Sequence, residues 1–318
     1  MANIDRLAKF RKNLQKSDPI QPVAVIEPVD VEPVTGDSDK VTRSEAINEI
    51  VADSFVPAHE EAQPVQSNRP KPGWYSPNYN QSRTVKLVPE VVTANRCITF
   101  DGQPQLVDAY KILRTQILQK MQQMGGTTLM VTSAQPGDGK TTTAINLAFT
   151  MAKEFQQTVL LVDCDLQQQD VHKQLGYASD KGLIDYLLDD CPVSDLFTWP
   201  EIEKITVISG GRTIRESSEL LGSPRMKELV VDMKTRYPSR FVIFDMQSIS
   251  AGADALVFAP LVDHIIMVVQ EGKTPIPDIK RTLKMLPEEK VLGLMLNRHK
   301  KATHKVKNVK TYDRKVIG

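Results

Sequence analysis

The stretch SAQPGDGKTTTAINLA, residues 133–148, gathers residue types that hold a phosphate. Gly137 and Gly139 let the backbone turn its N–H groups inward around anionic oxygens. A helix beginning near Lys140 adds the positive end of its dipole. Lys140 is spaced to reach the β- and γ-phosphates of ATP, and the Thr141 hydroxyl to ligate Mg²⁺. Gln135, Asp138 and Thr142 complete the expected nucleotide contacts, and Ala134 stands where such loops usually begin with glycine. A magnesium nucleotide also needs carboxylates, and the ends of parallel strands are where they belong. VLLVDCDLQQQD supplies Asp163 and Asp165, and FVIFDMQS supplies Asp245. Asp163 and Asp245 are expected as outer-shell metal ligands. Asp165 is expected to orient or deprotonate a nucleophile, with capping of the next helix as the alternative.

Positioning these groups requires strands that end at them. Continuous apolar runs lie at 127–133, 158–163, 205–210, 241–245, 264–270 and 291–297. Such runs suit strands buried on both faces. Helical patterns lie between them, at 105–122, 140–154, 218–236, 253–261 and 277–286. In the 140–154 helix, Ala144, Leu147, Ala148 and Met151 form the buried face. Alternating strands and helices predict an α/β fold, a three-layer α/β/α sandwich with a mainly parallel sheet of the P-loop NTPase kind.

This domain is expected over 96–299. Residues 1–16 form an amphipathic basic helix pattern, with Ile4, Leu7, Phe10 and Leu14 on one face. Residues 17–95 read as a Pro-rich, mostly disordered linker with a short helix near 43–55. Trp74, Tyr75 and Tyr79 lie in it, and 300–318 is a basic tail.

The net charge of +1 over 318 residues sets no preference for nucleic acid. The lysine-rich tail lacks interleaved aromatics, so no specific nucleic acid is expected. Peripheral contact with an anionic membrane is the alternative use for its charge. Three scattered cysteines exclude a disulfide framework and a zinc site. No apolar run reaches the roughly 20 residues of a bilayer span. A cytoplasmic protein is expected, peripheral to the inner face of the membrane at most.

Beyond the loop, SSELLGSPRM (217–226), APLVDHIIMVVQEGKT (259–274), LGLMLNR (292–298) and DAYKILRTQI (108–117) complete a pattern. Residues 105–299 resemble the cytoplasmic domain of bacterial tyrosine autokinases of capsule and exopolysaccharide biosynthesis, a branch of the deviant-Walker ATPases. The resemblance implies ATP and Mg²⁺ as cofactors and Asn297 beside the adenine. It implies subunit contacts through Asp108, Lys111 and Arg114, hence a homo-oligomer, and aligns a family histidine with His172. It implies a membrane chain-length determinant, or polysaccharide co-polymerase, as partner.

The chain departs from the family at three places. Gln167, Gln168 and Gln169 follow Asp165 where arginines and a proline are usual. Gln247 and Ser248 follow Asp245 in place of a proline pair. The tail carries one tyrosine, Tyr312, the phosphoacceptor candidate, where active members carry a cluster. Three readings follow: an autokinase, a non-phosphorylating nucleotide switch in polysaccharide assembly, and a partition or positioning ATPase. The last is disfavoured by Gln135, which stands where partition proteins carry a lysine that reaches across a dimer.

Overall fold

The computed structural model describes residues 82–97, 104–154, 157–179, 181–237 and 239–298. The basic helix of 1–16, the helix near 43–55, Trp74, Tyr75, Tyr79, Tyr312 and the tail lie outside these residues.

Eight strands form one sheet: β1 (Arg83–Thr84), β2 (Thr128–Ser133), β3 (Thr158–Asp163), β4 (Phe197–Trp199), β5 (Ile205–Ile208), β6 (Arg240–Asp245), β7 (His264–Gln270) and β8 (Val291–Asn297). Their order is β1-β4-β5-β3-β6-β2-β7-β8. All pairs are parallel except β4 with β5. The expected mainly parallel α/β/α sandwich is therefore the observed fold.

Nine α-helices are described: α1 (Pro89–Ala94), α2 (Pro104–Met124), α3 (Lys140–Met151), α4 (Val171–Leu175), α5 (Leu183–Asp189), α6 (Ser217–Leu221), α7 (Pro224–Thr235), α8 (Asp254–Phe258) and α9 (Ile276–Leu283). Alternation along the strands divides the core between two faces. Leu129, Val131, Leu161 and Ile243 pack toward α2 and α3. Met130, Leu160, Val162 and Phe244 pack on the opposite face, with Leu229 of α7 and Ala255 of α8. Each fully buried side chain of this size contributes about 1.5–3 kcal/mol.

Two expectations need correction. Residues 82–95, expected in a disordered linker, belong to the fold. β1 pairs with β4, and Val91 and Val92 of α1 are buried. Pairing with a distant edge strand and burial of a short apolar helix leave no periodic signal in so few residues. The helix expected over 218–236 is two helices. Ser223 adopts extended backbone and its hydroxyl accepts from Met226 N at 3.2 Å, with Pro224 opening α7. Serine then proline is a helix start signal, so the chain stops and begins again.

Candidate nucleotide and metal site

β2 ends at Ser133 and the chain turns through 134–139 into α3. Gly137 and Gly139 have φ of 84° and 99°, where a Cβ is strained. A Cβ on Gly139 would also collide with the Asn297 amide. Asp138 is buried inside the loop. Its Oδ2 accepts from Gln135 N at 3.0 Å, and its Oδ1 from Thr274 Oγ1 at 2.7 Å. Asn297 Nδ2 donates to Asp138 O at 2.8 Å. Gln135 Nε2 donates to Asp278 Oδ2 at 2.7 Å. The loop is thus fixed by β8, by the turn after β7 and by α9.

Lys140, Asp163, Asp165 and Asp245 are brought together at the carboxyl ends of β3 and β6, where Asp163 and Asp245 are register partners. Lys140 Nζ donates to Asp165 Oδ2 at 2.6 Å. Burial alone would lower the Lys140 pKa, but the charges of Asp245 and Asp165 outweigh it and raise the value.

The three carboxylates are not equivalent. Asp163 Oδ1 accepts from Asp165 N at 3.2 Å and Oδ2 from Val171 N at 3.1 Å. Asp163, not Asp165, therefore serves the amide that opens α4. Burial, then the charge of Asp245, raises its pKa well above the usual carboxylate value. Asp245 differs: both oxygens are buried without a hydrogen bond of good geometry. Burial raises its pKa to about 6, against the opposing pull of Lys140 and the Thr141 hydroxyl beside it. Buried carboxylate oxygens without partners call for a cation. Together with a threonine hydroxyl they suit a hard divalent ion such as Mg²⁺. Among the described residues no group of three His, Cys, Asp or Glu could hold a metal by itself. That fits an ion bound largely through nucleotide phosphates and water.

Thr142 Oγ1 donates to Gln174 Oε1 at 2.8 Å on α4. Asp108 and Lys111 pair with each other on the exposed face of α2 at 2.9 Å. Arg114 turns inward instead: Nη1 donates to Thr150 O at 3.0 Å, and Nε lies 3.0 Å from Glu154 Oε1. Sequence reasoning missed Thr274 and Asp278, although both follow a parallel strand at its ligand-binding end. It noted Gln247 and Ser248 only as departures. Gln247 Nε2 and Ser248 Oγ, just beyond Met246 at the end of β6, are buried without partners. The signal was present: two polar residues after a buried strand need an explanation.

A glycine loop between a parallel strand and a helix, facing carboxylates on two neighbouring strands, defines a nucleotide-binding domain of the P-loop class. The chain belongs to the CobQ/CobB/MinD/ParA nucleotide binding domain family, whose profile matches residues 129–318. It is similar to Tyrosine-protein kinase YwqD of Bacillus subtilis (strain 168), 32% identical over 199 residues, covering 62% of this chain and 83% of that protein. It is also similar to the Succinoglycan biosynthesis transport protein ExoP of Rhizobium meliloti (strain 1021), 29% identical over 181 residues. That match covers 54% of this chain and only 22% of the longer relative. The kinase domain of the Escherichia coli tyrosine kinase ETK shares the fold, with a TM-score of 0.59 and 24% identity, covering 73% of this chain and 93% of that one. No helix among the described residues is long and apolar enough to cross a membrane.

Proposed function

We propose that this chain binds Mg·ATP on the loop of residues 134–142 and passes the terminal phosphoryl group to tyrosine, regulating capsular or exopolysaccharide assembly. The observation that carries this is the buried convergence of Lys140, Asp163, Asp165 and Asp245 beside a glycine loop with two positive-φ residues. Likeness to a tyrosine-protein kinase and to a succinoglycan transport protein supplies the reaction class and the pathway class.

The roles follow from the contacts. Backbone amides of 137–141 and the Lys140 ammonium hold the phosphates. Thr141, Asp245 and, as an outer-shell ligand, Asp163 would hold Mg²⁺, with Asp163 also organising the start of α4. When bound, Mg²⁺ supplies positive charge against that developing on the transferred phosphoryl group. Asp165, once Lys140 turns to phosphate, is the free carboxylate that can accept an attacking hydroxyl's proton. Asn297 fixes the loop and lies by the adenine. A homo-oligomer and a membrane chain-length determinant are the proposed assembly and partner, with the tail held near anionic lipid.

Intact-mass and phosphotyrosine measurement after incubation with Mg·ATP tests the reading. A gain of one phosphate that vanishes in Lys140→Met and in Tyr312→Phe is expected. Mg·ATP binding with no gain of mass would overturn phosphotransfer. That second reading, a nucleotide switch without phosphorylation, draws on the uncharged Gln167 and Gln169. Gln167 Nε2 is held by Ser217 Oγ at 3.1 Å and Gln169 Nε2 by Arg212 O at 2.6 Å, so neither brings positive charge to the site.

A further inference from the structure

The loop carries a charge problem. Lys140 faces three buried carboxylates, Asp163, Asp165 and Asp245. A nucleoside triphosphate adds more negative charge, and a cation beyond Lys140 and Mg²⁺ would favour its binding. The positions after Asp165 hold glutamines, and Gln135 of the loop itself is neutral and tied to Asp278.

One lysine is delivered to the loop from elsewhere. Lys273 sits in the turn between β7 and α9. A Cβ built on Gly137 would meet its Nζ at 3.4 Å, so the ammonium lies directly over the outer edge of the glycine loop. The turn is not free to wander. Lys273 N donates to Gln270 O at 3.3 Å and Thr274 N to the same oxygen at 3.0 Å. Thr274 Oγ1 accepts from Gln270 N at 2.9 Å and donates to Asp138 Oδ1 at 2.7 Å. The residue beside Lys273 is therefore hydrogen-bonded to the loop. Lys273 is itself exposed, so a contact to phosphate requires little desolvation of its ammonium. Among the described residues it makes no ion pair, whereas Lys140 is held by Asp165.

We propose that Lys273 is a second phosphate-binding cation of this site, contacting the β- or γ-phosphate of a nucleoside triphosphate held on its own chain's loop. This rests on the reading of 134–142 as a nucleotide loop. It also gives a physical reason for glycine at 137: a side chain there would stand between the ammonium and the phosphates.

The test is calorimetric titration of the full chain with Mg·ATP and Mg·ADP, in the parent, Lys273→Met, Lys273→Arg and the surface control Lys280→Met. Lys273→Met is expected to bind Mg·ATP roughly tenfold more weakly, as loss of a charged hydrogen bond does. Lys273→Arg should stay near the parent, and Lys280→Met should match it. The thermal midpoint without nucleotide should not move in any of the three. A loss confined to Mg·ATP assigns the contact to the γ-phosphate; an equal loss with Mg·ADP assigns it to the β-phosphate. Parent-like binding by Lys273→Met overturns the proposal, as does an equal loss in Lys280→Met or a lowered midpoint in Lys273→Met. A parent that gives no heat with Mg·ATP overturns the nucleotide reading as well.

Discussion

Lys140 Nζ and Asp165 Oδ2 stand 2.6 Å apart, with side chains only 10% and 3% exposed. Removing one member of such a pair leaves a buried charge, which costs about 3–5 kcal/mol. Lys140→Met should therefore lose both Mg·ATP binding and stability, seen as a lower urea midpoint. Adding Asp165→Asn to that variant should return most of the stability and none of the binding. A double variant as unstable as the single one would show that the pair does not govern the fold. His172 makes a separate prediction. Burial, then the charge of Lys173, lowers its pKa from 6.5 to about 4, and its Nδ1 is buried without a partner. The unfolded chain then binds more protons than the native one between those values. The contribution from neutral His172 is complete above about pH 6.5 and is lost as pH falls toward 4. Asp163 and Asp245, whose pKa values are raised, act with the opposite sign. The parent must therefore be compared with His172→Gln, whose urea midpoint should fall less between pH 7 and pH 5.

At the scale of elements, α1 and α4 meet at Gly176. That residue has φ of 74°, and a Cβ on it would lie 2.9 Å from Val88 Cβ and 3.1 Å from Val91 Cβ. The same contact reaches the nucleotide loop's helix. Gln174 O accepts from Asn95 Nδ2 at 3.3 Å, while Gln174 Oε1 accepts from Thr142 Oγ1 at 2.8 Å. Gly176→Ala should lower stability by about 1–3 kcal/mol through strained backbone and displaced valines. It should also speed proteolytic cutting within 82–97; unchanged cutting would show that α1 docks independently of this glycine. None of this was legible in the sequence, because it depends on contacts between residues far apart in the chain. The central strands were legible, since each is a continuous apolar run between helices. The run expected over 205–210 ends at Ile208, where the chain leaves the sheet for the loop around Gly210. β1 and β4 were not legible: two- and three-residue strands carry no period, and only pairing with β4 defines β1 and pairing with β1 and β5 defines β4. The candidate site divides the same way. Spacing located Lys140, Asp163, Asp165 and Asp245, because loop and strand ends are local signals. It offered helix capping by one of the three aspartates without identifying Asp163, and gave no hint that both Asp245 oxygens would lack a hydrogen bond of good geometry.

At the scale of the molecule, α3 runs from the phosphate loop at Lys140 to Met151, and α2 packs along it. Arg114 of α2 grips the far end of α3 through Thr150 O and Glu154. A shift of the loop on nucleotide binding is expected to reach α2 through this contact. The outer face of α2 is where self-association is proposed, and the exposed residues on it are Asp108 and Lys111, paired with each other, and Ile112. Ile112 is 55% exposed, an apolar side chain between charged neighbours. Arg114, by contrast, is engaged within its own chain, and its expected role is in the coupling. Sedimentation velocity with and without Mg·ATP separates these roles. The parent should form larger species with Mg·ATP. Ile112→Asp should remain small while binding Mg·ATP like the parent, because a charge buried in the contact opposes assembly and does not touch the loop. Arg114→Ala should lower stability by about 1–3 kcal/mol through the lost hydrogen bond to Thr150 O and ion pair with Glu154, and blunt the nucleotide dependence of assembly without abolishing contact at high concentration. A parent whose sedimentation ignores Mg·ATP, or Ile112→Asp assembling as the parent does, would remove α2 as the assembling face.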